Sequence, residues 1–229
     1  ADVAMYEAKS AGRNTIRFYD PAMQVALEQR LIMDAQLRKA LPDRQLVTYF
    51  QAQTDLNGRI FGAEILLRWN HPDQGLVLPD QFIPRAEESG LIVSIGNAVL
   101  EMACTQLRQW QQDSTSQHLV LAVNVSARQF HQEDFVARLK DILARTGAPS
   151  HRLKLELTES LLLENVEDTI RKMHELSRLG ISFSMDDFGT GHSSLTYIKR
   201  LPLGQIKIDR SFVRDITTDP NDAVIVQTI

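Results

Sequence analysis

Oxygen-bearing side chains interrupt a series of short apolar alternations in this chain: Glu64 in Ala63–Trp69, Asn124 in Leu121–Ser126, Glu156 in Leu153–Glu159, and the pair Asp186 and Asp187 closing Ser182–Asp187. Lys207 and Asp209 interrupt Gln205–Arg210 in the same way. Carboxylate and amide oxygens are the donors that Mg²⁺ and Mn²⁺ prefer, whereas zinc sites favour nitrogen and sulfur. Such a set suits metal-assisted hydrolysis, in which a bound cation activates a water for attack. Taken singly, each residue is equally well explained by a solvated face or a buried ion pair. The recurrence of one signal in five segments is what points to a shared site.

Other chemistries are less well served. His71, His118, His131, His151, His174 and His192 include no pair at the helical i,i+4 spacing of a zinc motif, and they read as surface or capping residues. No glycine-flanked serine follows a strand in the G-x-S-x-G manner, so a Ser-His-Asp triad has little support. The segment Asp187-Phe-Gly-Thr-Gly-His-Ser-Ser-Leu195 reads either as an ordinary turn or as a mobile loop beside the carboxylates, with Gly189 and Gly191 supplying permissive backbone. It lacks the terminal G-K-[ST] of a nucleotide-triphosphatase loop.

Alternation dictates which element must hold these residues. In Ala63–Trp69, Ala63, Ile65 and Leu67 share one face of a strand, while Glu64, Leu66 and Arg68 share the other. The split recurs with Val123 and Val125 against Asn124, with Leu153, Leu155 and Leu157 against Lys154, Glu156 and Thr158, and with Ile206 and Ile208 against Lys207 and Asp209. One face of a parallel sheet packs on helices, so the polar sets must meet on the other, inside a barrel. Charges buried there are very costly unless paired or bound to metal.

Strands are expected at Leu46–Gln53, Ala63–Trp69, Leu119–Ser126, Leu153–Glu159, Ser182–Asp187 and Gln205–Arg210. Helices are expected at Pro79–Ser89, Ile92–Gln112, Asp134–Thr146, Val166–Leu179, Ser194–Lys199 and from Asp222 onward. The fold class is α/β: a (β/α)8 TIM-like barrel whose last strands are missing from this chain, although an open doubly wound sheet satisfies the same pattern. Ahead of it, Ala1–Asn14 has helical spacing and Thr15–Tyr19 alternates like a strand, too little to fold alone. Met23, Leu27, Leu31, Leu37 and Leu41 make Pro21 to Leu41 an amphipathic connecting helix.

Composition narrows the partners. With 43% hydrophobic residues, 229 residues suffice for a sizeable core. A formal charge of −4 and a pI near 5.9 give no basic field for a nucleic-acid duplex. Cys104 stands alone in an apolar-periodic run and reads as a packed helix residue in a reducing compartment. No apolar run is long enough to span a membrane and no signal peptide opens the chain, so it is read as soluble and cytoplasmic, with any membrane anchor of the parent protein lying upstream. The chain lacks an initiator methionine and closes inside the apolar run Ala223–Ile229, so it is read as a fragment.

Glu64-Ile-Leu-Leu-Arg-Trp69, Asn124-Val-Ser126, Glu156-Leu-Thr-Glu159, Asp186-Asp-Phe-Gly-Thr-Gly191 and Lys207-Ile-Asp209 resemble, in order and spacing, the EAL family of cyclic di-GMP phosphodiesterases. The opening Ala1-Asp-Val-Ala-Met-Tyr-Glu-Ala-Lys9 with Gly12-Arg-Asn14 looks like the end of a GGDEF diguanylate cyclase domain, without that domain's signature turn. The resemblance implies three parts: a GGDEF-like remnant at 1–20, a connecting helix at 21–42, and a truncated EAL domain at 43–229. It implies metal-dependent hydrolysis of cyclic di-GMP to linear pGpG in bacterial second-messenger signalling. By motif, Glu64, Asn124, Glu156 and Asp186 would ligate the first of two Mg²⁺ or Mn²⁺ ions, with Asp186 bridging and Asp187 helping to hold the second. Lys207 would orient or help activate the attacking water, with Asp209 nearby. Glu159 would anchor the loop after Asp187, Arg68 would meet a substrate phosphate, and Leu66 and Gln51 would line the substrate site, Gln51 at the guanine end.

The family pattern is broken at Ile65, where alanine is usual, and at Ala52, which replaces a proline. The chain also closes before the family's later glutamate for the second metal. Two alternatives accompany the enzyme: a non-catalytic cyclic di-GMP receptor, and a regulatory module that dimerises through the helix Pro21–Leu41. A homodimer is the expected assembly.

Overall fold

The computed structural model describes residues 20–163, 165–189, 198–214, 216–218, 224, 226 and 227. These divide into a smaller unit formed by residues 1–47 and 68–91 and a larger one formed by 48–67 and 92–229. The GGDEF-like remnant, the helix expected at Ser194–Lys199, the end of the loop after Asp187 and most of the helix expected from Asp222 lie outside the described residues.

In the smaller unit Asp20 caps helix α1 (Pro21–Ala40), its Oδ1 accepting the Ala22 N–H at 2.9 Å, with Pro21 in the first turn where no amide donor is needed. Only the end of α1 carries a buried stripe, at Leu37 and Ala40; Leu31, expected on the inner face, is 59% exposed, as are Val25 and Ile32 at similar levels. Arg85 of α2 (Pro79–Ser89) forks onto Asp34 of α1, Nε to Oδ1 at 3.0 Å and Nη2 to Oδ2 at 2.5 Å, tying the two helices. Buried Trp69 packs edge-on against Phe82 and donates its indole N–H to Gln45 at 3.0 Å.

The sheet runs in the order β1 (Leu46–Thr54), β2 (Ile60–His71), β4 (Val120–Asn124), β5 (Leu153–Thr158), β6 (Ser182–Phe188), β7 (Gln205–Ile208), with the short β3 (Gly75–Val77) antiparallel to the end of β2. From β2 through β7 every pairing along that order is parallel. Strands β1 and β2 form a hairpin closed at Asp55–Arg59, where the Asp55 N–H bonds the Arg59 carbonyl at 2.9 Å and Gly58 takes a positive φ. The larger unit continues with α3 (Leu91–Trp110), of which only Leu91 is counted in the smaller unit, then α4 (Ala127–Phe130), α5 (Phe135–Thr146), α6 (Glu159–Leu163), α7 (Val166–Ser177) and α8 (Arg210–Arg214). Its core is built from Leu121, Val123, Leu153, Leu155, Leu157, Phe183 and Met185 of the strands and from helix residues such as Ile95, Leu139 and Met173.

All six expected strands form, and the helices expected at Pro79–Ser89, Ile92–Gln112, Asp134–Thr146 and Val166–Leu179 form within two residues of those bounds. The strand ends need correction. Ser126 is no longer strand: its Oγ accepts the Gln129 N–H and caps α4. Glu159 opens α6, and Asp209 precedes α8 with its carboxylate on the Ser211 N–H at 2.9 Å. At Ser126 and Asp209 the strand gives way to a helix at a residue that alternation alone reads as one more inward position, whereas Glu159 falls on the face of Leu155 and Leu157.

Candidate functional site

The polar face of the sheet in the larger unit converges on one ammonium group. Lys207 on β7 donates to Glu156 Oε2 at 2.7 Å, Asp186 Oδ2 at 3.0 Å and Glu64 Oε2 at 3.1 Å, carboxylates from three other strands. These three acids offer oxygens within 4.8 Å of one another. The side chain of Glu156 is 0% exposed, while those of Glu64, Asp186 and Lys207 are 16%, 20% and 24% exposed, so the cluster opens toward solvent on one side. Asn124 completes the rim, donating its amide to Glu64 Oε1 at 2.7 Å.

Placing three carboxylates around one lysine perturbs Glu156 and Lys207 in ways that follow from burial and charge. Burial pushes the Glu156 carboxyl above its ordinary range; the Lys207 hydrogen bond opposes this, while the like charges of Glu64 and Asp186 reinforce it. For Lys207, burial favours the neutral amine, but the Glu156 hydrogen bond and field, with Asp186 and Glu64, outweigh it and hold the ammonium above its usual value. The shifts of the two partners disagree in sense, since a simple pair would lower Glu156. The geometry explains it: one cation is shared among three anions, and the most buried anion is the least compensated.

Asp187 and Glu159 complete the end of β6. Asp187 has φ 54, a left-handed conformation uncommon for a residue with a side chain, and its N–H bonds Asp186 Oδ1 at 3.0 Å. Burial raises its carboxyl, with Asp186, Asp209 and Glu64 adding to the effect. Glu159, 3% exposed, accepts the Gly189 N–H at 3.1 Å, which joins the start of α6 to the glycine two residues beyond Asp187. Gly189 has φ 102 and lies against Phe212 of α8 so closely that an added Cβ would sit 2.7 Å from the ring. Phe212 was not anticipated from the sequence, where it reads only as an apolar residue after Asp209.

The remaining expected residues are placed as follows. Leu66 is half-buried and two positions along β2 from Glu64; Arg68, also half-buried, lies a further two positions on and belongs to the smaller unit. Gln51 is exposed on β1. The Asp209 carboxyl is held low by the Ser211 side-chain and backbone hydrogen bonds that make it a helix cap. Ile65, the departure from the family pattern, is 3% exposed and pairs with Val123 on the face opposite Glu64. Among the histidines, His71 takes the capping role rather than a surface one: it is buried, and its Nδ1 accepts the Asp73 and Gln74 N–H groups at the turn between β2 and β3.

The donor set fits hard divalent cations. Its ligand atoms are all oxygens, and Glu156 Oε1 is buried with no hydrogen-bond partner among the described residues, an anionic oxygen that needs a cation or a donor.

Comparison with known proteins gives one consistent result. The EAL domain family profile matches residues 34–229. The chain is 43% identical over its whole length to the bifunctional diguanylate cyclase/cyclic di-GMP phosphodiesterase MucR of Pseudomonas aeruginosa, covering 33% of that protein. It is 39% identical, again over its whole length, to the cyclic di-GMP phosphodiesterase PdeR of Escherichia coli, covering 34% of it. The chain therefore spans about a third of the length of these curated relatives. Its fold superposes on the solved PaMucR phosphodiesterase in complex with c-di-GMP with a TM-score of 0.82 at 43% identity, over 86% of this chain and 80% of that one.

Proposed function

This chain belongs to the EAL domain family, with the TIM-like (β/α)8 barrel fold, and from that premise we propose that it hydrolyses one phosphodiester bond of cyclic di-GMP to give linear pGpG. The observation that carries the proposal is the convergence of Glu64, Glu156 and Asp186 on Lys207. Glu64, Asn124, Glu156 and Asp186 would hold one Mg²⁺ or Mn²⁺ and Asp186 with Asp187 a second. When bound, such a pair supplies a nucleophilic water at neutral pH and neutralises phosphoryl charge.

The chain's own groups do the rest. Lys207 stays protonated across the physiological range, held so by three carboxylates, and presents its ammonium where the attacking oxygen must be oriented. Glu159 fixes the backbone at Gly189 and so the strained Asp187 two residues before it. Arg68 offers a guanidinium fork suited to a phosphate, and Gln51 and Leu66 are assigned to the nucleotide, as the family motif implies. Asp209, two residues beyond Lys207 at the end of β7, is assigned to the substrate with them, again on the family motif.

Residues 43–229 are assigned to the phosphodiesterase, 21–42 to a connecting helix and 1–20 to the end of a GGDEF-like domain. Among the described residues no helix is long and apolar enough to cross a membrane. A cytoplasmic homodimer is the assembly we assign, with the exposed Val25, Leu31 and Ile32 of α1 as its contact.

The test is direct. Protein loaded with Mg²⁺ or Mn²⁺ is incubated with cyclic di-GMP and the products are separated chromatographically; linear pGpG is expected. Cyclic nucleotide recovered intact, yet bound by the protein in a titration, would establish the receptor reading instead.

A further inference from the structure

Alternation sets both Lys154 and Glu156 on the inner face of β5; Glu156 belongs to the carboxylate cluster, and Lys154, one inward position earlier, does not. The half-buried Lys154 ammonium reaches past β6 to β7, donating to Gln205 Oε1 at 2.7 Å, and lies 5.7 Å over the Phe61 ring of β2. One side chain thus ties three strands of the larger unit. The ladders set Lys154 level with Ser182, and Gln205 level with Ser184 and so with Glu156. The bond therefore runs diagonally, from one row to the next.

Strand β7 depends on such a tie. It is four residues long, and among the described residues it closes the sheet order and pairs with β6 alone. That pairing slips at the site itself. Ser184 pairs with Gln205 and Met185 with Ile206, but the next pair is Phe188 with Ile208, so Asp186 and Asp187 together oppose Lys207. A bulge of this kind disrupts the ladder locally and re-aims side chains. The Lys207 ammonium nonetheless meets three carboxylates at 2.7–3.1 Å, so its place is set by what fixes β7 just before it. Two bonds do this: the Gly204 N–H to the Phe183 carbonyl at 3.0 Å, and the brace from Lys154 to Gln205, two residues before Lys207.

We propose that Lys154 is a positioning residue for Lys207: through Gln205 it fixes β7 along the strand direction and so brings the Lys207 ammonium level with Glu64, Glu156 and Asp186. The inference rests on the role assigned to Lys207 above. A misplacement of about 1 Å caused by a change away from the chemistry costs up to about a hundredfold in rate.

The experiment compares wild type, Gln205→Leu, Lys154→Met, the two together, Gln205→Glu and Lys207→Met. It measures kcat and KM for cyclic di-GMP, Mn²⁺ affinity by calorimetry, and melting of the metal-free protein. Gln205→Leu and Lys154→Met are each expected to lower kcat by about 10–100-fold, with KM and Mn²⁺ affinity near the wild-type values. Gln205→Leu should melt early, because it strands a half-buried ammonium, whereas the double variant removes both partners and recovers the melting temperature without recovering kcat. Gln205→Glu, which keeps an oxygen for the ammonium, retains most of the turnover. Wild-type kcat in Gln205→Leu, with turnover lost in Lys207→Met, overturns the role of Lys154 alone. So does a double variant that regains kcat along with stability, which would make the brace a matter of folding. Undiminished kcat in Lys207→Met, or a wild-type chain that does not turn over, overturns the assignment of Lys207 and this inference with it.

Discussion

Replacing Lys207 by methionine keeps the volume of the side chain and removes only its charge, which isolates what the ammonium does among Glu64, Glu156 and Asp186. Removing one partner of a buried ion pair costs about 3–5 kcal/mol. Lys207 and two of its acids keep access to water, so the cost in metal-free protein at pH 7 is discounted to about 2–4 kcal/mol. In a domain of this size that corresponds to a melting temperature lower by roughly 4–16 °C. The pH dependence has a definite sign. Glu156 has a raised folded-state value even with Lys207 present, so its contribution is full below its ordinary range and is lost as pH rises through the folded value. Taking away the ammonium raises the folded value further and deepens the loss near neutrality. The gap between Lys207→Met and wild type should therefore narrow as pH falls toward the ordinary glutamate value of 4.5, where Glu156 gains its proton in both proteins. Mn²⁺ affinity should be preserved or increased, because a competing cation has gone, while turnover falls by roughly a hundredfold or more, as for loss of a proton-handling group. Differential melting with and without Mn²⁺, beside kcat for cyclic di-GMP, measures all of this. A variant that melts like wild type at pH 7, or that loses Mn²⁺ binding as it loses stability, would refute the arrangement argued here.

Glu64→Gln and Asp186→Asn each remove an anionic donor from the cluster and should abolish or greatly weaken Mn²⁺ binding by calorimetry; unchanged affinity in both would remove the metal site. Ca²⁺, with a larger and looser coordination shell than Mg²⁺ or Mn²⁺, should bind yet inhibit, which a competition assay at fixed Mg²⁺ detects. Gly189→Ala forces a side chain into a left-handed backbone and against Phe212, so it should lower both the melting temperature and kcat by displacing the segment after Asp187; kcat at the wild-type level would show that this segment does not set Asp187. Burial pushes the Cys104 thiol from an ordinary 9.0 up to about 12, so the native state keeps its proton where the unfolded chain loses it. Stability should then fall by about 1.4 kcal/mol per pH unit between pH 9 and 12 relative to Cys104→Ala, a difference readable in urea melts.

Much of this architecture is legible in the sequence because period-two alternation is a strong signal when one face is apolar throughout. Val123 and Val125 around Asn124, and Leu155 and Leu157 around Glu156, require no tertiary information to place the polar residue on the opposite face. The same signal overruns at the strand ends. Ser126 and Asp209 are polar where a further inward position falls, but a helix N-terminus also demands a polar oxygen, and a capping side chain looks the same in one dimension. The Asn57-Gly58 dipeptide is a hairpin signal that would have extended β2 back to Ile60. His71 caps a turn, one of the two roles expected of it, but nothing in its type or spacing tells that the turn is buried.

What alternation cannot supply is register, and register decides which inward residues meet. Following the ladders from strand to strand, Glu64 pairs with Ala122, Ala122 with Lys154 and Lys154 with Ser182, so Glu64 stands level with Ser182, two inward positions before Asp186. A flat sheet would leave Glu64 and Asp186 on different rows and several ångströms apart along the strands. In a barrel the strands tilt and their rows stagger, so residues of different rows come to one level. Lys207 records that stagger, since a single ammonium reaches Glu64 Oε2 at 3.1 Å and Asp186 Oδ2 at 3.0 Å. The carboxylates are thus assembled by the shear of the sheet as much as by their own side chains. A change in register between any two of β2, β4, β5 and β6 would therefore dismantle the site while leaving every strand hydrophobic pattern intact.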